Sequence, residues 1–452
     1  MTNLVVEISR YLMILLITIY TYYNFRFFSM KVEEDRNFAC GRQLVCLFML
    51  HFLAYLVIVL HTRSEALMLF YGVQVLYFVC FIFLSRLLYK KISRLLLNNM
   101  CMLLGTGFII LTRLNPDRAM RQFAIAAAAS VLTWAIPFIM RYVRQLIKLR
   151  WFYGMLGLIL LAVVFVVGNT SYGAQLSLTI HGISIQPSEF VKITFVLYVA
   201  SMLSRSTSFK QVAITTIVAA LHVLILVGSK DLGSALIFFV TYLLMLFVAT
   251  SNWFYLGAGL FIGAGASAAA YKLFAHVRRR VEAWRDPWAD IDDTGYQVTQ
   301  GLFAMGTGGW LGMGLYQGVP GKIPVVEKDF IFAAISEELG ALYAVCLLLI
   351  CVGCFLQCMV IAMNMKDMFC KLLSFGLGML YITQVFLTVG GVLKFIPSTG
   401  VTLPFVSYGG SSILATFVLF SIVQGLYMIM CGEEDADEEF KKSDECEDRE
   451  AR

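Results

Sequence analysis

Charge is what this chain has least of. Asp, Glu, Lys and Arg make up 14% of its 452 residues, where an average soluble domain carries about 25%. That is too little to cover a water-facing surface. Histidine is sparse as well: His51, His61, His181, His222 and His276 are scattered and form no metal-binding pattern. The eleven cysteines fall in expected spans or cytoplasmic segments and none in an outer loop, which argues against disulfide bridges on the outer side. Cys351, Cys354 and Cys358 have a metal-like spacing but lie in one apolar run without a second ligand pair, so they read as small core residues. No strand or βαβ pattern accompanies the glycine-rich stretch Met305–Gly314, which argues against a nucleotide loop. Its glycines suit a short re-entrant or interfacial segment that packs closely. No organic cofactor is expected.

What the chain has in abundance is apolar sequence, 60% of it hydrophobic. Runs of about 18–22 residues recur along nearly the whole length, each long enough to cross the roughly 30 Å hydrocarbon layer as a helix. Lipid offers no partner for unpaired backbone groups, so such runs must be helical. The fold class is therefore all-α, a polytopic integral membrane protein. Spans are expected near 5–25, 43–61, 66–88, 97–112, 122–140, 152–168, 189–204, 212–228, 232–250, 254–275, 331–363, 372–393 and 409–430. The segment 331–363 is too long for one upright span and is expected to tilt or to extend past the bilayer. No cleavable leader is apparent around Tyr11–Tyr23.

The net charge of +6 reports orientation, and nucleic acid is not an expected partner. Arg26, Lys31, Arg36 and Arg42, then Arg86, Lys90, Lys91 and Arg94, then Arg141, Arg144, Lys148 and Arg150 fall in connections of one parity. Basic connections face the cytoplasm. This puts the N-terminus outside and the C-terminus inside. The acidic stretch 432–452 reads as a disordered cytoplasmic tail. Three segments on the outer side depart from plain spans: 169–188, the large loop 276–328, and the Pro- and Gly-containing 394–408. Long irregular segments in a compact protein are usually functional.

Charges near these segments are the candidate site residues. Gln186-Pro187-Ser188-Glu189-Phe190-Val191-Lys192 puts a carboxylate and an ammonium three residues apart, on one helix face. Such a pair serves a polar site or a lysine snorkelling beside its partner. Asp231 opens another span, where a helix N-cap explains it equally well. Asp329 begins Asp329–Gly340, with Glu337 and Glu338 roughly 12–13 Å deeper by helical rise. Carboxylates at that depth are costly and must face a polar cavity or basic partners.

In order and spacing, Gln186–Lys192, Asp231–Ala235, Gly295-Tyr296-Gln297 through the glycines to Pro324, Asp329–Gly340, and Leu403-Pro404-Phe405-Val406-Ser407-Tyr408-Gly409-Gly410-Ser411 resemble the SEDS family (shape, elongation, division and sporulation: FtsW, RodA and SpoVE). The resemblance covers about 93–430. The chain then divides into extra N-terminal helices over 1–92, a SEDS-like core over 93–431 and the tail over 432–452. The resemblance implies a peptidoglycan glycosyltransferase of the bacterial cytoplasmic membrane. Lipid II would be the acceptor, and a glycan strand on undecaprenyl diphosphate the donor. Asp329 would be the catalytic base. Lys192, Glu189, Gln186, Asp231 and Arg118 would line the substrate cavity, with Glu337, Glu338, Ser407 and Tyr408 beside them. The resemblance also implies a divalent cation, Mg or Mn, and a class B penicillin-binding protein as partner among other cell-wall membrane proteins. No transpeptidase domain is present in this sequence. Three departures stand out. Glu327-Lys328 replaces the family's His-Thr, Ser184 stands where an arginine is usual, and Lys230 stands where a proline is usual. Lys230 or Lys328 is a candidate to supply the missing cation. The alternatives to the enzyme are a lipid II flippase and a catalytically inactive scaffold.

Overall fold

The computed structural model describes residues 2–171, 174–180 and 183–450. In chain order the helices are α1 Thr2–Ser29, α2 Glu33–Thr62, α3 Glu65–Leu88, α4 Arg94–Leu114, α5 Pro116–Thr133, α6 Ile136–Ile139, α7 Val143–Lys148, α8 Arg150–Val167 and α9 Pro187–Leu203. They continue with α10 Phe209–Gly228, α11 Leu232–Thr250, α12 Trp253–Leu273, α13 Ala275–Arg285, α14 Tyr296–Gly308, α15 Ile331–Leu339, α16 Ala341–Asn364, α17 Met368–Val392 and α18 Gly410–Glu450. Among the described residues 12 helical stretches are long and apolar enough to cross a membrane. α9, at 17 residues, is slightly shorter. Local signals set many of the starts. The side chains of Ser93, Asn115, Asp231, Asn252 and Asp367 each accept a backbone N–H at a helix N-cap. Pro116 and Pro187 occupy first turns, where a missing N–H costs nothing.

A small antiparallel sheet interrupts the helices, with β1 Asn169–Ser171, β2 Ala174–Ile180 and β3 Ile183–Ile185 in the order β1-β2-β3. It accounts for most of the irregular segment 169–188. His181 lies outside the described residues.

α4 forms the centre of one half of the bundle, and every residue from Leu95 to Thr112 is buried. Several of its polar side chains are bonded across to the N-terminal helices. The Asn98 amide donates to the Cys40 carbonyl at 3.0 Å, and Asn99 donates to Asn24 at 2.8 Å while accepting from the Tyr20 hydroxyl at 2.9 Å. Tyr55 and Thr112 bond at 2.9 Å. Interhelical hydrogen bonds of this kind contribute roughly 0.6–2 kcal/mol each in a bilayer. α1 also lies along α16. Its Asn24 fits there because Gly353 has no side chain: a Cβ on that glycine would come within 2.1 Å of the amide.

Two sequence expectations need correction. The stretch 331–363 is not one tilted span. It breaks at Gly340, whose φ of 95° is open to glycine, into the short α15 and the spanning α16. The backbone groups freed by the break are met by the glycine-rich stretch. Met313 N–H bonds Glu337 O at 2.9 Å, Gly314 N–H bonds Glu338 O at 2.8 Å, and Gly309 O accepts from Ala341 N–H at 3.0 Å. Non-helical backbone is tolerated at such depth when protein satisfies it. The second correction concerns 432–452. The α18 backbone continues as helix to Glu450, as a run rich in Glu favours once a spanning helix has nucleated it.

Candidate active site

The three irregular segments converge at one end of the bundle. The start of α9 meets that of α18 where the Gln186 N–H donates to Ser411 Oγ at 3.0 Å. The Arg280 guanidinium, on α13, donates to the Ser398 carbonyl at 3.2 Å, and the Trp284 indole to the Lys394 carbonyl at 3.1 Å. Tyr408 N–H bonds the Glu327 carbonyl at 2.7 Å, and the Ser407 hydroxyl donates to the Lys328 carbonyl. Gln122 closes the corner, donating to Ser407 O at 2.7 Å and accepting from Gly409 N–H at 2.9 Å. Ser407 therefore spends its polar groups on backbone, since its hydroxyl also accepts from Leu403 N–H at 2.9 Å.

Two aspartates line this end. Asp231 caps α11 through Ser234 N–H at 3.1 Å, and its second oxygen accepts from the Ser188 hydroxyl at 3.3 Å. Ser188 is held in turn by the Gln186 amide at 3.1 Å. Asp231 thus caps α11 and also joins it to the start of α9. Asp329 is half-buried just before α15. Loss of water raises its carboxyl above the ordinary 3.8, while Arg280 and Lys328 act in the opposite sense. Burial likewise raises Asp231, opposed by its bonds to Ser234. Arg280 is the group the aspartates share, because both carboxylates act on its guanidinium.

Beneath them, Lys192 is 2% exposed and does not snorkel. Its ammonium donates to Glu189 at 2.9 Å and to the Gln384 amide oxygen at 2.8 Å, and Gln384 donates onward to Thr402 O at 2.9 Å. Arg118 forms an ion pair with Glu327 and lies 5.7 Å from the centre of the Tyr408 ring. The unusual Glu327 is thereby matched by a cation. Glu337 and Glu338 do not line the site. They are 5% and 1% exposed at the far end of α15. Glu337 accepts from Val319 N–H at 2.9 Å, and Glu338 pairs with Arg113 at 2.9 Å. Their reading as cavity residues gives way to one as anchors of the 309–319 loop.

The sequence pattern of the family described as cell cycle protein (FtsW, RodA, SpoVE) matches residues 91–429, across these features. The chain belongs to this family. It is 33% identical over 358 residues to the peptidoglycan glycosyltransferase RodA of Mycobacterium bovis, covering 73% of this chain and 76% of that one. It is 32% identical over 359 residues to the probable peptidoglycan glycosyltransferase FtsW of Aliivibrio salmonicida, covering 73% and 85%. A solved peptidoglycan synthase complex, described as coordinating polymerization and crosslinking, contains a chain that superposes with a TM-score of 0.63. That chain is 26% identical, and the match covers 75% of this chain and 98% of it. Rod shape determining protein RodA of Thermus thermophilus shares the fold, with a TM-score of 0.57 at 24% identity over 74% of this chain and 96% of that one.

Within this family member, sequence reading missed Arg280, Arg113, Gln384 and Gln122. Arg280 sits in a basic triplet whose members look alike in sequence, and only the turn of α13 toward Ser398 singles it out. Arg113 closes α4 like any cation at a helix C-terminus. Of the two expected stand-ins for the missing cation, Lys328 acts on Asp329, while Arg280 faces both aspartates. The donor set does not suit a divalent ion held by protein alone. Among the described residues no three His, Cys, Asp or Glu side chains gather, and each carboxylate here already faces a cation or a donor.

Proposed function

We propose that the protein is a peptidoglycan glycosyltransferase that polymerises lipid II, with Asp329 as the base. The observation that carries this reading is Asp329 itself: a half-buried carboxylate beside Arg280, where all three irregular segments of a family member meet. A base must be ionised and close to the hydroxyl it serves. The carboxylate takes the proton from the acceptor sugar hydroxyl as that oxygen attacks the anomeric carbon of the donor. The bond from that carbon to the diphosphate oxygen breaks, and undecaprenyl diphosphate leaves with the electron pair. Arg280, Lys328 and Arg118 face the charge that develops on the diphosphate. Asp231, held by Ser188 and Ser234, keeps Arg280 directed toward the site.

Basic connections at the opposite end of the bundle support an orientation with this end outside the cytoplasmic membrane, the N-terminus outside and the C-terminus inside. Crosslinking requires a separate transpeptidase, and the complex that the fold resembles supports a class B penicillin-binding protein in that role. Two charge pairs lie inside the bundle, Lys192 with Glu189 and Arg113 with Glu338, which supports chemistry over transport. The test is polymerisation of purified lipid II by the detergent-solubilised protein with its transpeptidase and Mg²⁺ or Mn²⁺. Wild type makes long glycan, whereas Asp329→Asn, almost identical in volume, makes none while keeping its fold and partner. Glycan from the Asn variant would remove Asp329 from the reaction.

A further inference from the structure

The helices α1–α3 precede the region matched by the family, yet two of them reach into it at the 309–319 loop. The Arg10 guanidinium, on α1, donates to the Gly312 carbonyl at 2.9 Å. Val6 packs so close to Gly314 that a Cβ there would lie 2.8 Å from its methyl group. At the end of α2, the His61 ring stacks on Tyr316, with centres 4.2 Å apart and planes 15° apart. Tyr316 also receives the Arg113 guanidinium at 4.2 Å, and it holds a φ of 66°. A non-glycine residue keeps such a backbone only when its surroundings impose it.

The gripped stretch in turn grips α15. Arg113 bonds both Glu338, at 3.0 Å through Nε, and the Gly318 carbonyl at 3.2 Å. Val319 N–H bonds the Glu337 carboxylate, and Met313 and Gly314 N–H bond the carbonyls of Glu337 and Glu338. α15 has nine residues, Ile331–Leu339, all of them buried. Its far end is thus fixed by the loop, and Asp329 sits immediately before its near end. A helix this short and this buried moves as one piece.

We infer that Arg10 and His61 are positioning residues for the transferase reaction: through the 309–319 loop and α15, the N-terminal helices hold Asp329 in register with the acceptor hydroxyl. The inference rests on the polymerase reading above. Neither residue touches the reacting atoms, so its loss changes alignment and leaves substrate binding alone. A misplacement of about 1 Å lowers turnover ~100-fold.

The experiment uses the full-length protein as wild type, Arg10→Ala, His61→Ala, the double variant and His61→Phe. Hydrogen exchange of peptides covering 309–319 is measured first, with melting temperature as a control, and needs no activity. Exchange there rises ~tenfold in the alanine variants while the melting temperature holds, and His61→Phe, which keeps a stacking ring, exchanges like wild type. Polymerisation then shows turnover lowered ~tenfold or more with KM for lipid II unchanged, and restored by His61→Phe. The single variants carry the test should the double variant fail to accumulate. Unchanged exchange, a raised KM at full turnover, or no rescue by phenylalanine overturns the inference. Failure of wild type to polymerise sinks the transferase reading instead, and the exchange data still decide whether the grip exists.

Discussion

Removing the Lys192 ammonium tests whether the polar floor of the site is held together as the structure has it. Lys192 and Glu189 expose 3% and 8% of their side chains, and their 2.9 Å contact is supplemented by Gln384 at 2.8 Å. In Lys192→Met the Glu189 carboxylate stays buried with no counter-charge, a situation that costs about 3–5 kcal/mol. Gln384 also loses the donor to its amide oxygen, within the about 1–3 kcal/mol expected for an orphaned polar group. Because Gln384 tethers Thr402, the 394–408 segment loosens and polymerisation falls with stability. Glu189→Gln in the same chain removes the stranded charge, so the double variant recovers most of the loss and a double-mutant cycle gives a coupling of about 3 kcal/mol. The assay is unfolding of detergent-solubilised protein, followed by tryptophan fluorescence, for wild type, both single variants and the double. A single Lys192→Met variant as stable as wild type refutes the reasoning. So does a double variant as unstable as that single one, because the cost would then come from packing and not from charge.

The acid limb of the pH–rate profile reports the base. Burial raises Asp329 above 3.8 and Arg280 opposes that rise, so activity falls away as pH drops through a point above the ordinary carboxylate value. Arg280→Gln removes the opposing charge and moves this limb to higher pH; a limb that stays put or moves down detaches Arg280 from Asp329. By the same shift, ionised Asp329 weighs against the fold once pH rises through its folded value, whereas its contribution is fully present below 3.8. Asp329→Asn is accordingly at least as stable as wild type at neutral pH, which a melting curve checks. Gly340→Ala puts a side chain at a φ of 95° and 2.5 Å from the Gly312 nitrogen. The backbone term alone is about 1–2 kcal/mol, so a melting temperature lowered by several degrees is expected, and an unchanged one argues against the break at Gly340.

Most of the scaffold was legible because membrane physics leaves few choices. A run long enough to span and too apolar to leave the bilayer must be helical, so the spans, the all-α class and the three irregular segments could be read from residue order alone. So could Asp329, Asp231, Glu189 and Lys192, since charge beside an apolar run is conspicuous. Apolarity, however, does not report where a helix breaks. Residues 331–363 look continuous, and only the approach of Gly312 to Gly340 and the bonds from 309–314 make a break tolerable. Partners were equally hidden. Glu337 and Glu338 resemble cavity acids until Arg113 and Val319, remote in sequence, are seen to claim them, and Arg280 resembles its neighbours until α13 turns it toward Asp231 and Asp329. By itself the sequence determined which segments cross the membrane and which carry the charge, because transfer of each group into lipid is a local free energy. Which charges neutralise one another and which carboxylate stays half-exposed was decided by the tertiary structure, because those pairings join residues brought together only by packing.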